Sequence, residues 1–340
     1  MVRLLKKKIF ITGSSGFIGF HVAKKFLNMG YRVCGFDSMN NYYDINLKKS
    51  RLKILQKYKN FSFIKNDLEN EKILDKSLSI FKPTIIIHLA AQAGVRYSLK
   101  NPDTYLKSNI IGTFNIIKLS KKFKVSHLII GSSSSVYGAN KKIPFKEIDK
   151  TDHQVSFYAA TKKSTESLAH SYSSLWKLPI TMLRFFTVYG PLGRPDMAYF
   201  KFTKNILEGK KIDIYNKGKM YRDYTYVEDI VDGIYKLTNK TPSLNLKKSF
   251  KNDSLSPVAP FRILNIGNTK KILLLDFINT LEKELNIKIK KNYMPMQKGD
   301  VHSTLSDSSL LKRITGYNPK TNYKIGIKKF VNWYLNYYSN

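Results

Sequence analysis

The feature that most constrains this chain is a strand that runs straight into three glycines. Lys8 to Thr12 is a short β-branched and aromatic run. It breaks into Gly13-Ser-Ser-Gly16-Phe-Ile-Gly19, and an amphipathic stretch from Phe17 to Met29 follows. Glycines at this spacing let the backbone approach a pyrophosphate closely, and the helix N-terminus adds free N–H groups and a positive dipole end. Asp37 ends the next strand, Tyr31 to Asp37, 24 residues beyond Gly13. A carboxylate there hydrogen-bonds an adenosine ribose and repels a 2′-phosphate, which predicts NAD rather than NADP. A glycine turn that binds nothing is the plain alternative; the register of strand, helix and Asp37 weighs against it.

The alternation continues. A lysine-rich helix precedes a strand at Phe61 to Lys65. An apolar strand, Thr84 to His88, leads to a helix near Thr104 to Phe123 and a strand at His127 to Gly131. This pattern predicts an α/β fold, a doubly wound parallel (Rossmann-type) sheet with helices on both faces. The second half is less regular. Gly-Pro punctuation falls at 189–195, a polar stretch from Asn239 to Pro260 reads as a surface loop, and a final amphipathic helix spans Ile325 to Tyr338. We expect residues 1–184 to form the NAD-binding domain, with returns from the second half. Residues 185–340 would form mainly a smaller C-terminal substrate-binding lobe.

Charge raises a competing possibility. Lys+Arg is 59 against Asp+Glu 24, a net of +35, which brings nucleic acid to mind. Yet only nine of these cations are arginine, and no lysine run exceeds Lys6-Lys7-Lys8. Phosphate and base recognition favours the arginine fork. The expectation is therefore a lysine-biased solvated surface and no nucleic acid. The single cysteine, Cys34, permits neither an internal disulfide nor a thiolate metal cage, and no metal is expected. No apolar stretch has the roughly 18–20 residues of a spanning helix, and the basic start is followed by too short an apolar run for a signal peptide. We expect a cytoplasmic protein without membrane insertion.

Tyr158-Ala-Ala-Thr-Lys162 is the second motif. Its i, i+4 spacing puts both side chains on one helix face. A phenol is a poor base at neutral pH, but a neighbouring ammonium favours the phenolate, which can then take a proton from a sugar hydroxyl. The pattern alone is weak in a chain with 22 tyrosines. Ser133, in Gly131-Ser-Ser-Ser-Ser135-Val-Tyr-Gly138, would complete a Ser-Tyr-Lys site at the end of the fifth strand; a polar loop is the bland reading.

These motifs resemble the extended short-chain dehydrogenase/reductase group of nucleotide-sugar enzymes, the NAD-dependent epimerase/dehydratase family, and within it the UDP-glucuronate 4-epimerases most closely. The resemblance runs from Lys8 to the C-terminal helix. It is carried by residues 35–44, 90–98, 184–198, 212–229, 265–268 and 295–301. It implies Ser133, Tyr158 and Lys162 as the catalytic triad, with Ser134 or Ser135 sharing the sugar-facing role. Around NAD it implies Gly13, Gly16, Phe17, Ile18, Gly19, Asp37, Asp67, Leu68, Leu89, Ala90, Ala91, Gln92 and Asn109, besides Tyr158 and Lys162. For the UDP-sugar it implies Arg222 on the diphosphate, Tyr215 against uracil, and Asp300 on the ribose with Gln297 just before it. Thr187 and Arg194 would hold a sugar carboxylate, with Arg96 nearby. A homodimer through the helices near Thr104 to Phe123 and Phe157 to Trp176 is also implied.

The resemblance also bears on the reaction. Dehydratases of the group resemble Thr-Asp-Glu after the fifth strand, and UDP-glucuronate decarboxylases carry a Glu just before Val-Tyr-Gly. This chain has Ser134 and Ser135 there, with no acid to eliminate water or promote loss of CO2. That implies C4 epimerisation of UDP-glucuronate to UDP-galacturonate through a 4-keto intermediate. A UDP-glucose or UDP-N-acetylhexosamine 4-epimerase and a decarboxylase are the near alternatives; Arg194 and Thr187 argue against a neutral sugar. A non-catalytic NAD- or RNA-binding protein is the distant one, and it would have no use for a phenolate.

Overall fold

A computed structural model describes residues 7–244, 250–297 and 302–338. Its strands are β1 (Lys8–Thr12), β2 (Arg32–Asp37), β3 (Phe61–Lys65), β4 (Ile85–His88), β5 (His127–Ser133), β6 (Ile180–Phe185), β7 (Thr187–Tyr189), β8 (Ile212–Tyr215), β9 (Tyr221–Tyr226), β10 (Phe261–Ile266), β11 (Lys271–Leu273) and β12 (Lys291–Met294). Seven of them form one parallel sheet in the order β10-β6-β5-β4-β1-β2-β3. This is the doubly wound sheet that the alternation predicts. Strand order reverses between β1 and β4, and the crevice outside the carboxyl ends at such a reversal is where this architecture takes ligands.

Successive strand residues point to opposite faces. Ile9 and Ile11 of β1 and Ile85 and Ile87 of β4 pack with Phe20, Ala23, Ile230 and Ile234, which come from helices Phe17–Asn28 and Val227–Leu237. Phe10, Cys34, Ile86, Leu128 and Ile130 pack on the other face with Leu74, Leu78, Ile116 and Ala169. Both faces are covered, as a parallel sheet requires. A second lobe carries the sheets β11-β9-β7 and β12-β8 around a third core that includes Tyr189, Tyr224, Phe277 and Phe330.

Two local features differ from the sequence reading. The helix expected over Thr104 to Phe123 is three pieces: Pro102–Tyr105, a π-helical turn Leu106–Ile111, and Gly112–Lys122. The wide turn carries the fully buried Asn109. The stretch Asn239 to Pro260 holds no helix or strand among its described residues, and 245–249 lie outside them. No helix among the described residues is long and apolar enough to cross a membrane.

Candidate active site

The crevice begins at the carboxyl end of β1. Gly13 has φ +72°, a region side chains disfavour, and a Cβ there would stand 2.7 Å from the Ala90 nitrogen. A Cβ on Gly19 would overlap the Gly13 carbonyl. Asp37 is buried at the end of β2 and accepts from Ser15 N at 3.0 Å and Met39 N at 2.9 Å. Each carboxylate oxygen keeps a lone pair for a ligand hydroxyl. The Ser14 and Ser15 hydroxyls are buried without a hydrogen-bond partner. A cradle with no room for a Cβ, two orphaned hydroxyls and a fixed carboxylate suit a dinucleotide.

The turn after β4 is held from inside. Burial lowers His88 to about 3, so its ring is neutral. Thr12 Oγ1 accepts from Leu89 N at 3.2 Å and Ala90 N at 3.1 Å, and stands 2.7 Å from His88 Nδ1. With its lone pairs taken, the threonine donates to Nδ1, which leaves Nε2–H to donate to Thr113 Oγ1 at 2.9 Å. Asn109 Oδ1 accepts from Gln92 N, and its Nδ2 donates to Gln92 O and Thr161 Oγ1. The structure thus places Asn109 as a brace for Gln92. Asp67 is exposed, and the helix that follows is capped by Asn70 through Ile73 N. Leu68 is buried against Gly112.

Tyr158 and Lys162 lie in the first turns of the helix Phe157–Trp176, whose cap is Ser156 through Ala159 N. Lys162 is buried and donates to Gly131 O on β5 at 2.8 Å. Burial lowers its pKa to about 8, and Glu166 opposes the shift. Burial raises the Tyr158 phenol above its ordinary value, while a hydrogen bond with Ser133 and the charge of Arg194 pull the other way. Ser133 ends β5, and its Oγ accepts from Ser135 N and donates to Ser135 Oγ, both at 3.2 Å. One turn beyond Lys162, Glu166 takes Arg184 Nε at 2.9 Å, Arg184 Nη2 at 2.8 Å and Ser132 Oγ at 2.7 Å. This buried pair pins the helix Phe157–Trp176 to β5 and β6.

A cleft of about 200 Å³ brings together Arg96, Thr187, Tyr215 and Arg222. The Arg96 guanidinium lies 5.3 Å from the Tyr215 ring centroid. Arg194 does not line this cleft. Its Nε donates to Asp196 Oδ1 at 3.0 Å, its Nη2 donates to Asp196 Oδ2, and Tyr42 OH donates to the same Oδ2 at 3.2 Å. Burial raises the Asp196 pKa, and the Arg194 charge with these hydrogen bonds more than reverses it. Gln297 Oε1 is buried without a partner, and Asp300 lies outside the described residues. A larger cavity of about 480 Å³, lined by Cys34, Ile64 and Phe81 among others, holds none of the expected residues. No group of metal-ligating side chains forms among the described residues.

The sequence reading missed several residues around this crevice. Lys48 donates from its buried Nζ to Asn40 O and Oδ1, close enough to Asp37 for that charge to oppose the lowering of its pKa by burial. Arg51, Arg184, Tyr42 and Asp196 were also unassigned. The arginines carried one usable signal: each is an exception in a chain that otherwise chooses lysine.

Residues 9–249 match the family model described as the NAD dependent epimerase/dehydratase family. The chain is 50% identical to Protein CapI of Staphylococcus aureus, over 97% of this chain and 99% of that one. It is 47% identical to a probable UDP-glucuronate 4-epimerase of Rhizobium meliloti, over 96% of each. Among solved structures it is similar to the UDP-glucuronic acid 4-epimerase of Bacillus cereus in complex with UDP-glucuronic acid and NAD. That likeness has a TM-score of 0.86 and 32% identity, and covers 97% of this chain and 100% of that one.

Proposed function

The chain belongs to the NAD-dependent epimerase/dehydratase family, and from that premise we propose that it catalyses C4 epimerisation of UDP-glucuronate to UDP-galacturonate. One observation carries the reading. The Ser133–Tyr158–Lys162 set gathers at the carboxyl end of β5 with Arg194 close enough for its charge to act on Tyr158, and Ser134 and Ser135 replace the carboxyl groups that dehydration or decarboxylation would use.

NAD, which the glycine turn and Asp37 would hold, would supply a reversible hydride acceptor for C4. The remaining work falls to side chains. Tyr158 takes the C4 hydroxyl proton as that carbon is oxidised, and Ser133 shares a hydrogen bond with the same oxygen. Lys162 stabilises the phenolate and keeps its ammonium fixed through Gly131 O. The resulting ketone turns its opposite face to the cofactor, while Tyr215 and Arg222 retain the nucleotide. Tyr158 then returns the proton to the inverted C4 oxygen. Arg194, with Thr187, meets the sugar carboxylate. Because Asp196 occupies the Nε–Nη2 edge of Arg194, the carboxylate reaches the Nη1 edge or displaces Asp196.

Two further points belong to this reading. The protein works as a homodimer. Leu106, Ile111, Leu175 and Trp176 are exposed on helices that pack together through Phe114 and Tyr172. It also works in the cytoplasm, which the lone, buried, free Cys34 suits. Incubating UDP-glucuronate with the purified protein tests the reaction. UDP-galacturonate is expected, without accumulating reduced cofactor and without CO2. Faster turnover of UDP-glucose, or release of a UDP-pentose as the main product, overturns the assignment.

A further inference from the structure

Arg51 lies on the helix Ile45–Gln56, and its side chain is fully buried. All of its N–H groups are used. Nε donates to Leu192 O at 3.1 Å, and Nη2 donates to Leu192 O at 2.7 Å and Gly193 O at 2.9 Å. Nη1 donates to Ser15 O at 3.0 Å and Tyr43 OH at 2.8 Å. Every acceptor is neutral. Three segments meet on this one group: the glycine turn at Ser15, the loop after β2 at Tyr43, and the two residues before Arg194.

A cation buried among neutral acceptors is costly, and its hydrogen bonds to the three carbonyls offset that cost. What it gains is geometry, because a planar fork with five fixed N–H directions positions main chain as an ammonium cannot. The Leu192 and Gly193 carbonyls set the direction in which the chain delivers Arg194. We propose that Arg51 is a positioning residue for uronate selection: it fixes Leu192–Gly193 so that Arg194 is presented to the sugar carboxylate, and through Ser15 it ties that presentation to the cofactor turn. This rests on the reading above, in which Arg194 meets the carboxylate.

The test compares Arg51→Lys with the parent, both purified with bound cofactor. Affinities for UDP-glucuronate and UDP-glucose are measured by calorimetry beside kcat and KM. For Arg51→Lys, Kd and KM for UDP-glucuronate are expected to rise about tenfold, as for one lost charged hydrogen bond, while UDP-glucose affinity stays within about twofold and kcat within about threefold. Hydrogen exchange should quicken at 190–197 and not along 157–176. A role in packing alone would weaken both sugars or neither. If Arg51→Lys does not fold, Tyr43→Phe, which removes a single acceptor, carries the same comparison, with an expected loss of about threefold in the preference. A parent that prefers the acid, with a folded variant that keeps the full preference, overturns the role of Arg51 alone. A parent that binds both sugars equally overturns the uronate reading and this role with it.

Discussion

Tyr158 holds its proton more tightly in this protein than a free tyrosine does, because burial penalises the phenolate. In the proposed mechanism the base therefore depends on cations, Arg194, whose charge already favours the phenolate, and Lys162 one turn on. Tyr158→Phe keeps the ring and removes the proton acceptor. We expect kcat to fall by at least about 10²-fold, the low end for loss of a general base, with NAD still released on denaturation. Near-normal turnover would show that another group takes the proton. Arg194→Ala should weaken UDP-glucuronate by about 1.5–3 kcal/mol, the range for hydrogen bonds to charged groups, and increase leakage to a UDP-pentose; titration with substrate and product separation check both. Unchanged acid binding would favour the neutral-sugar epimerase instead. Asp37 should exclude a 2′-phosphate, so NADP as the main cofactor released from the parent would contradict its role. Tyr158 and Lys162 are legible in the sequence because a helix repeat sets them side by side. Arg51 is not, because main-chain carbonyls have no letter in a sequence.

At the scale of elements, the strands of the first half announce themselves as apolar runs between turn residues. β6 and β10 do not, although both are buried. β6 carries Arg184 and β10 carries Arg262 and Asn265, polar residues that a single sequence reads as surface. Their partners lie outside the strands: Arg184 with Glu166 on the preceding helix, Arg262 with Asp253 in the preceding loop, and Asn265 N donating to the distant Glu147 Oε1 at 2.9 Å. Glu147 gives this layer a pH signature. Burial raises its pKa from 4.5 to about 7. The folded state then holds the proton more tightly than the unfolded state. This stabilisation is complete below about 4.5 and is lost as pH rises through about 7. Glu147→Gln keeps an acceptor for Asn265 N and cannot ionise. Its Tm should fall less than the parent's across that window, and parallel curves for the two proteins would remove Glu147 from the account.

At the scale of the whole molecule, the crevice has parts from both lobes. Ser15 and Asp37 come from the carboxyl end of the first sheet, Tyr215 and Arg222 from the second lobe, and Arg194 from the loop that follows β7. Light scattering on the purified protein should report a dimer, and Trp176→Glu with Leu106→Glu should report a monomer; a parent that is already monomeric would contradict the proposed pairing. β10 has a consequence for how such a chain is made. It reaches the edge of the first sheet only after β7, β8 and β9 of the second lobe have been synthesised, so during translation β6 waits as a bare parallel edge until Phe261 emerges from the ribosome. A gene cut after residue 184 would produce a first fragment that precipitates through that edge. The two fragments would stay soluble only when one cell makes both at once.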